Sequence, residues 1–195
     1  MGNDERYVGN PASQRVGQAA GPLVEVRGIS KHFGGVHALV DVSVSFARGT
    51  VHGLVGENGA GKSTLAKAIG GAHQADDGEI LVEGENVRFS SPRDALERGI
   101  ALIAQEIALV PEATVEENVF LGVEPRRGGI IDRAALRRAY RELDDRVGFG
   151  LNGRSTVRRM RVSDRQKVEI MRALARDARM ILMDEPTAAL SADET

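Results

Sequence analysis

Apolar and polar residues alternate in two stretches early in the chain, LVEV at 23–26 and VDVSVSF at 40–46. A period of two is the pattern of a strand with one buried face, so both are expected to be strands. Ala47-Arg48-Gly49 is the turn after the second. The next apolar run, VHGLV at 51–55, is followed by a glycine-rich loop and then by LAKAI at 65–69, which predicts strand, loop and helix. Asp76-Asp77-Gly78 predicts a turn and EILV at 79–82 a short strand. Ser91-Pro92 opens a helix to about Arg98, because proline suits the first helical position. IALI at 100–103 is expected to be a buried strand. MILM at 180–183 is continuously apolar, as in a strand covered on both faces.

Between those last two strands the texture is helical. Thr114 with Glu117 forms a capping box for a helix through Phe120 and Leu121. Gly128-Gly129 breaks the chain, and Asp132 caps a charged helix to about Val147. Ser163 with Gln166 is expected to cap a further helix to about Ala175. Residues 1–21 are polar and rich in Gly, Asn and Gln, which predicts a disordered leader. The fold class is therefore α/β. Residues 22–195 form one partial domain, with a helical subdomain inserted at about 106–177.

Composition narrows the function. The 195 residues suffice for a domain with a real core, and the net charge of −2 gives the whole chain no electrostatic case for nucleic acid. There is no cysteine, which removes disulfides, thiolate metal sites and cysteine nucleophiles. No apolar run approaches the roughly 18–20 residues of a membrane span, and the N-terminal residues lack an apolar signal core, so no export signal is expected. One local bias stands out: residues 126–167 hold thirteen Lys and Arg against five Asp and Glu. Without interleaved aromatics this reads as a solvated face, so nucleic acid is not expected as a partner.

The loop between the predicted strand and helix reads Gly56-Glu57-Asn58-Gly59-Ala60-Gly61-Lys62-Ser63-Thr64. This is G-x-x-x-x-G-K-[ST] in the strand–loop–helix setting that the pattern requires. Its glycines let successive N–H groups turn inward, and with the helix N-terminus these form a nest for phosphate oxygens. Lys62 reaches the terminal phosphates as a point charge, and the Ser63 hydroxyl is placed to ligate Mg²⁺. Asp184-Glu185 directly follows the late apolar strand. Asp184 can hold Mg²⁺, and Glu185 can polarise a water for attack on the γ-phosphate. The histidines at 32, 37, 52 and 73 have no metal-site spacing.

The order of these features, with Gln105 between them and Pro186-Thr187 after them, resembles the ATP-binding cassette (ABC) ATPases over about residues 22–195. Ile103-Ala104-Gln105-Glu106, the stretch TVEENVFLG at 114–122, Val168-Glu169-Ile170 and DEPTAALS at 184–191 look like the ATPases of bacterial ribose, galactose and xylose importers. In that family two cassettes are fused in tandem, and the intact Lys62 points to the first. The resemblance implies a P-loop NTPase core with antiparallel N-terminal strands and an inserted helical subdomain. It also implies ATP and Mg²⁺ as ligands, and hydrolysis that drives sugar import from the cytoplasmic face of the cell membrane. The implied partners are a second cassette, membrane permease subunits and, indirectly, a sugar-binding protein. Phe33 sits where an aromatic stacks on adenine. Gln105 matches the glutamine that contacts Mg²⁺ or the attacking water.

The chain also departs from the family. The signature loop, typically LSGGQ, reads Met160-Arg161-Val162-Ser163-Asp164, and Arg161 replaces a serine that bonds the facing cassette's γ-phosphate. Ser191 stands where many members carry Asp. All four histidines precede the position of the family's switch histidine, so the core is expected to be incomplete at the C-terminus. Two alternatives stay open: a nucleotide-binding fragment without turnover, and a soluble ABC-type ATPase acting on ribosomes or nucleic acid.

Overall fold

The structure, a computed structural model, describes residues 21–104 and 108–184. The expected leader, Gln105, Glu106, Glu185 and the residues after it lie outside the described residues.

Alternation sets the first strands. β1 (Val24–Phe33) and β2 (Val36–Phe46) form an antiparallel hairpin closed at the Phe33–Val36 pair. Both run longer than the alternating stretches predict. In β1 the buried side chains are Val24, Val26 and then Ile29, so the inward face passes from even to odd positions. A bulge causes this. Gly28 takes a φ of 60°, and the register of β1 shifts around it against both neighbouring strands. One extra residue re-aims every later side chain, so alternation stops being informative although the strand continues.

Helix α1 (Lys62–Ile69) packs Leu65 and Ile69 into the same core as Val24, Val26 and Ile29. β3 (Asp77–Val82) pairs with the other edge of β1, and β4 (Glu85–Val87) with β3, giving the sheet order β2-β1-β3-β4. Asp77 and Gly78, expected in a turn, belong to β3, because their backbone continues the pairing with β1. Ser91 caps α2 (Pro92–Glu97), its hydroxyl accepting from Asp94 N, and the chain then enters β5 (Ile100–Ile103).

The helical region has its own core of Val115, Val119, Leu136, Tyr140, Leu143, Val157, Val168 and Met171. α3 (Val115–Val119) carries both halves of the Thr114/Glu117 capping box. Asn118 in α3 is fully buried. Its amide accepts from Val110 N at 2.7 Å and donates to Val110 O and Thr114 O, each at 3.0 Å, so one side chain satisfies the loop before the helix. Gly128-Gly129 is the turn of a small hairpin, β6 (Arg126–Arg127) and β7 (Ile130–Ile131). Both glycines have positive φ, as a type I′ turn requires. α4 (Arg133–Val147) begins at Asp132, whose carboxylate accepts from Ala134 N and Ala135 N.

α5 (Val162–Leu174) starts earlier than the expected Ser163/Gln166 box. Arg161 is its N-cap, with extended backbone, and Ser163 already lies inside the first turn. After α5 the chain enters β8 (Met180–Met183), which pairs parallel with β5, Ile100 opposite Met180 through Ile103 opposite Met183.

Two expectations fail here for one reason. β8 is not covered on both faces: Leu182 is buried but Met183 is 41% exposed. Residues 51–55 form no strand, and Val51 and Val55 are almost fully exposed. Among the described residues β5 is the only strand beside β8, and none lies beside residues 51–55. Apolar runs become covered strands only when neighbours take their backbone hydrogen bonds.

Candidate functional site

The glycine loop turns back over the start of α1. Gly59 and Gly61 have φ of 85° and 84°, the left-handed region. Gly61 caps α1, and Leu65 N donates to its carbonyl. A Cβ on Gly61 would lie 2.6 Å from Ala38 O, so the loop runs hard against β2. Ala60 N donates to Glu57 O and tightens the turn around Asn58 and Gly59.

Packing of Leu65, Ala66, Ala68 and Ile69 fixes α1 and leaves Lys62, Ser63 and Thr64 half-buried at its open end. Lys62 Nζ donates to Gly56 O and Glu57 O, both at 2.8 Å, bridging the two ends of the loop. Ser63 Oγ donates to Asp184 Oδ1 at 2.6 Å across 121 positions of sequence. Asp184 comes there from β8, and its N–H bonds Ile103 O at 3.3 Å. The arrangement gathers the loop, Lys62, Ser63 and Asp184 into one place.

Upstream, Arg179 anchors the strand that delivers Asp184. Its guanidinium bonds Glu83 at 2.6 Å and Arg98 O at 2.9 Å. Glu83 also takes Arg48, so it ties the β3–β4 turn and the turn after β2 to β8. Arg179 first and Arg48 second hold the Glu83 carboxyl down at about 2. These anchoring residues were not foreseen, since nothing local in the sequence marks them.

The other expected residues stand apart. Phe33 ends β1, 43% exposed, its ring edge-on to His73 at 5.2 Å and 5.4 Å from Lys31 Nζ. Beside it Asp76 accepts from Lys31 Nζ at 2.6 Å and His32 N at 2.7 Å. Those bonds, Lys31's first, bring its carboxyl down to about 2. Arg161 is exposed at the start of α5, with Val162, Ser163 and Asp164 in the first turn, and Lys167 bonds Asp164 at 2.9 Å. Among the described residues no hydrogen bond or ion pair joins Arg161, Val162 or Asp164 to the phosphate loop.

Among the described residues no three His, Asp or Glu cluster as an all-protein metal cage. One hydroxyl and one carboxylate, both hard oxygen donors, instead suit Mg²⁺, which keeps waters and phosphate oxygens in its shell. No helix of the described residues is long and apolar enough to cross a membrane.

The sequence model described as ABC transporter matches residues 39–188. The chain belongs to the ABC transporter family. A ribose import ATP-binding protein of Rubrobacter xylanophilus is 51% identical to this ABC chain over 173 residues. That of Rhodococcus jostii is 50% identical over 174 residues. The alignments cover 89% of this chain and 35% of each relative, so the chain spans about a third of their length. A nucleotide-free cassette of an ABC transporter superposes with a TM-score of 0.74 at 26% identity, covering 87% of this chain and 71% of that one. A cassette described in its ADP conformation has a TM-score of 0.74 at 28% identity, with the same coverages. The architecture is therefore the P-loop NTPase fold of ABC cassettes, with antiparallel N-terminal strands.

Proposed function

We propose that this chain is the nucleotide-binding part of an ATPase subunit that energises import of a sugar through a membrane permease. The observation that carries this is the Ser63–Asp184 hydrogen bond beside Lys62, which joins the two halves of a phosphate-and-cation site from distant elements. Sugar import is supported by the names of the relatives, ribose import ATP-binding proteins.

In this reading the loop amides and Lys62 bind the phosphates of ATP. Lys62 exchanges its two carbonyl acceptors for phosphate oxygens. Ser63 and Asp184 hold Mg²⁺, which when bound neutralises charge building on the γ-phosphate. Gln105 and Glu185 orient and activate the attacking water, and Phe33 offers a flat apolar face to adenine. The helical subdomain, about residues 106–177, presents Arg161–Asp164 to a second cassette. The subunit works at the cytoplasmic face of the membrane.

A fluorescent ATP analogue titrated with Mg²⁺ tests this. Lys62→Ala is expected to weaken binding at least about tenfold, the loss of charge-assisted hydrogen bonds. Ser63→Ala should mainly remove the Mg²⁺ dependence. Unchanged affinity in Lys62→Ala would sink the reading. A second reading, binding without turnover, is favoured by residues 51–55, which no strand holds among the described residues. Phosphate release at background level, with binding intact, would select it.

A further inference from the structure

Phe33 is held in place by the loop that leaves α1. Ala72 N and His73 N both donate to Lys67 O, which ties this loop to the last turn of the helix. His73 then sets its ring against Phe33, the planes at 69°. Three residues on, Asp76 takes hold of the end of β1. Its N–H donates to Ser30 O at 2.9 Å, and its carboxylate accepts from Lys31 Nζ at 2.6 Å and from His32 N at 2.7 Å. Asp76 therefore bonds each of the three residues before Phe33.

Lys31 carries this hold to the ring itself. Its ammonium lies over Phe33, 5.4 Å from the centroid, and its side chain is only 15% exposed. A lysine without a partner turns its strongly hydrated ammonium to water. Here the carboxylate of Asp76 supplies the opposite charge, and the ammonium stays over the ring. His32 Nδ1 lies 3.1 Å from the same carboxylate, and the His32 ring stands edge-on to that of His37, its partner across the hairpin. Both oxygens of Asp76 are engaged in this cluster, while the Phe33 ring remains open to a ligand.

On the reading of Phe33 as the adenine platform, we propose that Asp76 sets the selectivity of the site for a base, by fixing Phe33 relative to α1. The start of α1 carries Lys62 and Ser63, and the loop after its end carries His73 and Asp76. One helix thus spaces the phosphate contacts from the stacking surface. A platform already ordered at that spacing binds a base without the cost of ordering it. Asp76 acts through Phe33 and is a positioning residue.

Competition titration of the 195-residue chain against a fluorescent ATP analogue tests this. The readout is the ratio of the affinities for ATP and for inorganic tripolyphosphate, which has the phosphates and lacks the base. Phe33→Ala should lower that ratio about tenfold, the ordinary effect of losing a base–aromatic stack. Asp76→Asn keeps the shape and removes the charge, and should lower the ratio about two- to fivefold as the ammonium leaves the ring. Lys31→Met should do the same, and adding it to Asp76→Asn should cause no further loss, since both break one link. Asp76→Glu should restore part of the ratio. An equal loss for ATP and tripolyphosphate in Asp76→Asn would make the residue purely structural and overturn the proposal. An unchanged ratio in Asp76→Asn, with Phe33→Ala lowering it, would overturn the proposal and leave the platform standing. An unchanged ratio in Phe33→Ala would remove both.

Discussion

Gly61 meets two demands at once: a left-handed backbone and a clearance of 2.6 Å from Ala38 O. Gly61→Ala is expected to cost about 1–3 kcal/mol and to displace the loop, which urea unfolding and nucleotide titration would show together. That residue was legible in the sequence, because the spacing of glycines, lysine and serine states the chemistry. Asn118 was not. An asparagine inside a helix start reads as a surface residue, and its role exists only once the loop at 110–114 is buried against it. Asn118→Ala leaves Val110 N and O without partners and should lower stability by about 2–4 kcal/mol, read as a drop in the urea midpoint.

Among the elements, most starts written in local chemistry match the sequence reading, the Ser163/Gln166 cap and the Asp76–Gly78 turn being the exceptions, whereas features set by distant neighbours are harder to read. The capping box of α3, the Asp132 cap of α4 and the Ser91-Pro92 start of α2 are written within a few residues. β4, the Gly28 bulge and the uncovered run at 51–55 depend on strands far away in sequence. One link between elements is testable. Glu169 Oε1 accepts from Ala108 N at 3.1 Å, Arg172 donates to Ala108 O at 2.7 Å, and the two side chains pair at 3.6 Å. α5 thus grips both backbone groups of one residue just after the 105–107 segment. A double-mutant cycle of Glu169→Gln and Arg172→Gln should show coupling of about 1 kcal/mol in unfolding. Simple additivity would mean two independent contacts.

At the scale of the molecule, two carboxylates tie separate parts together and contribute to its response to acid. Asp76 and Glu83 both titrate at about 2, below their ordinary values of 3.8 and 4.5. A depressed carboxyl contributes stability that is present above its ordinary value and lost as pH falls through the folded one. Wild type should therefore exceed Glu83→Gln in urea midpoint at neutral pH, and the gap should close between about pH 4.5 and 2. A gap independent of pH would assign the difference to packing.

The Ser63–Asp184 bond also has a history in time. Its partners are 121 positions apart, and a ribosome adding about 5–20 residues per second needs roughly 6–24 seconds to pass from one to the other. The sheet β2-β1-β3-β4 is complete in sequence by Val87, so the loop with Lys62 and Ser63 emerges onto a finished platform and waits. Each nascent chain passes through an interval in which it displays half a nucleotide site. The second half arrives only with β8.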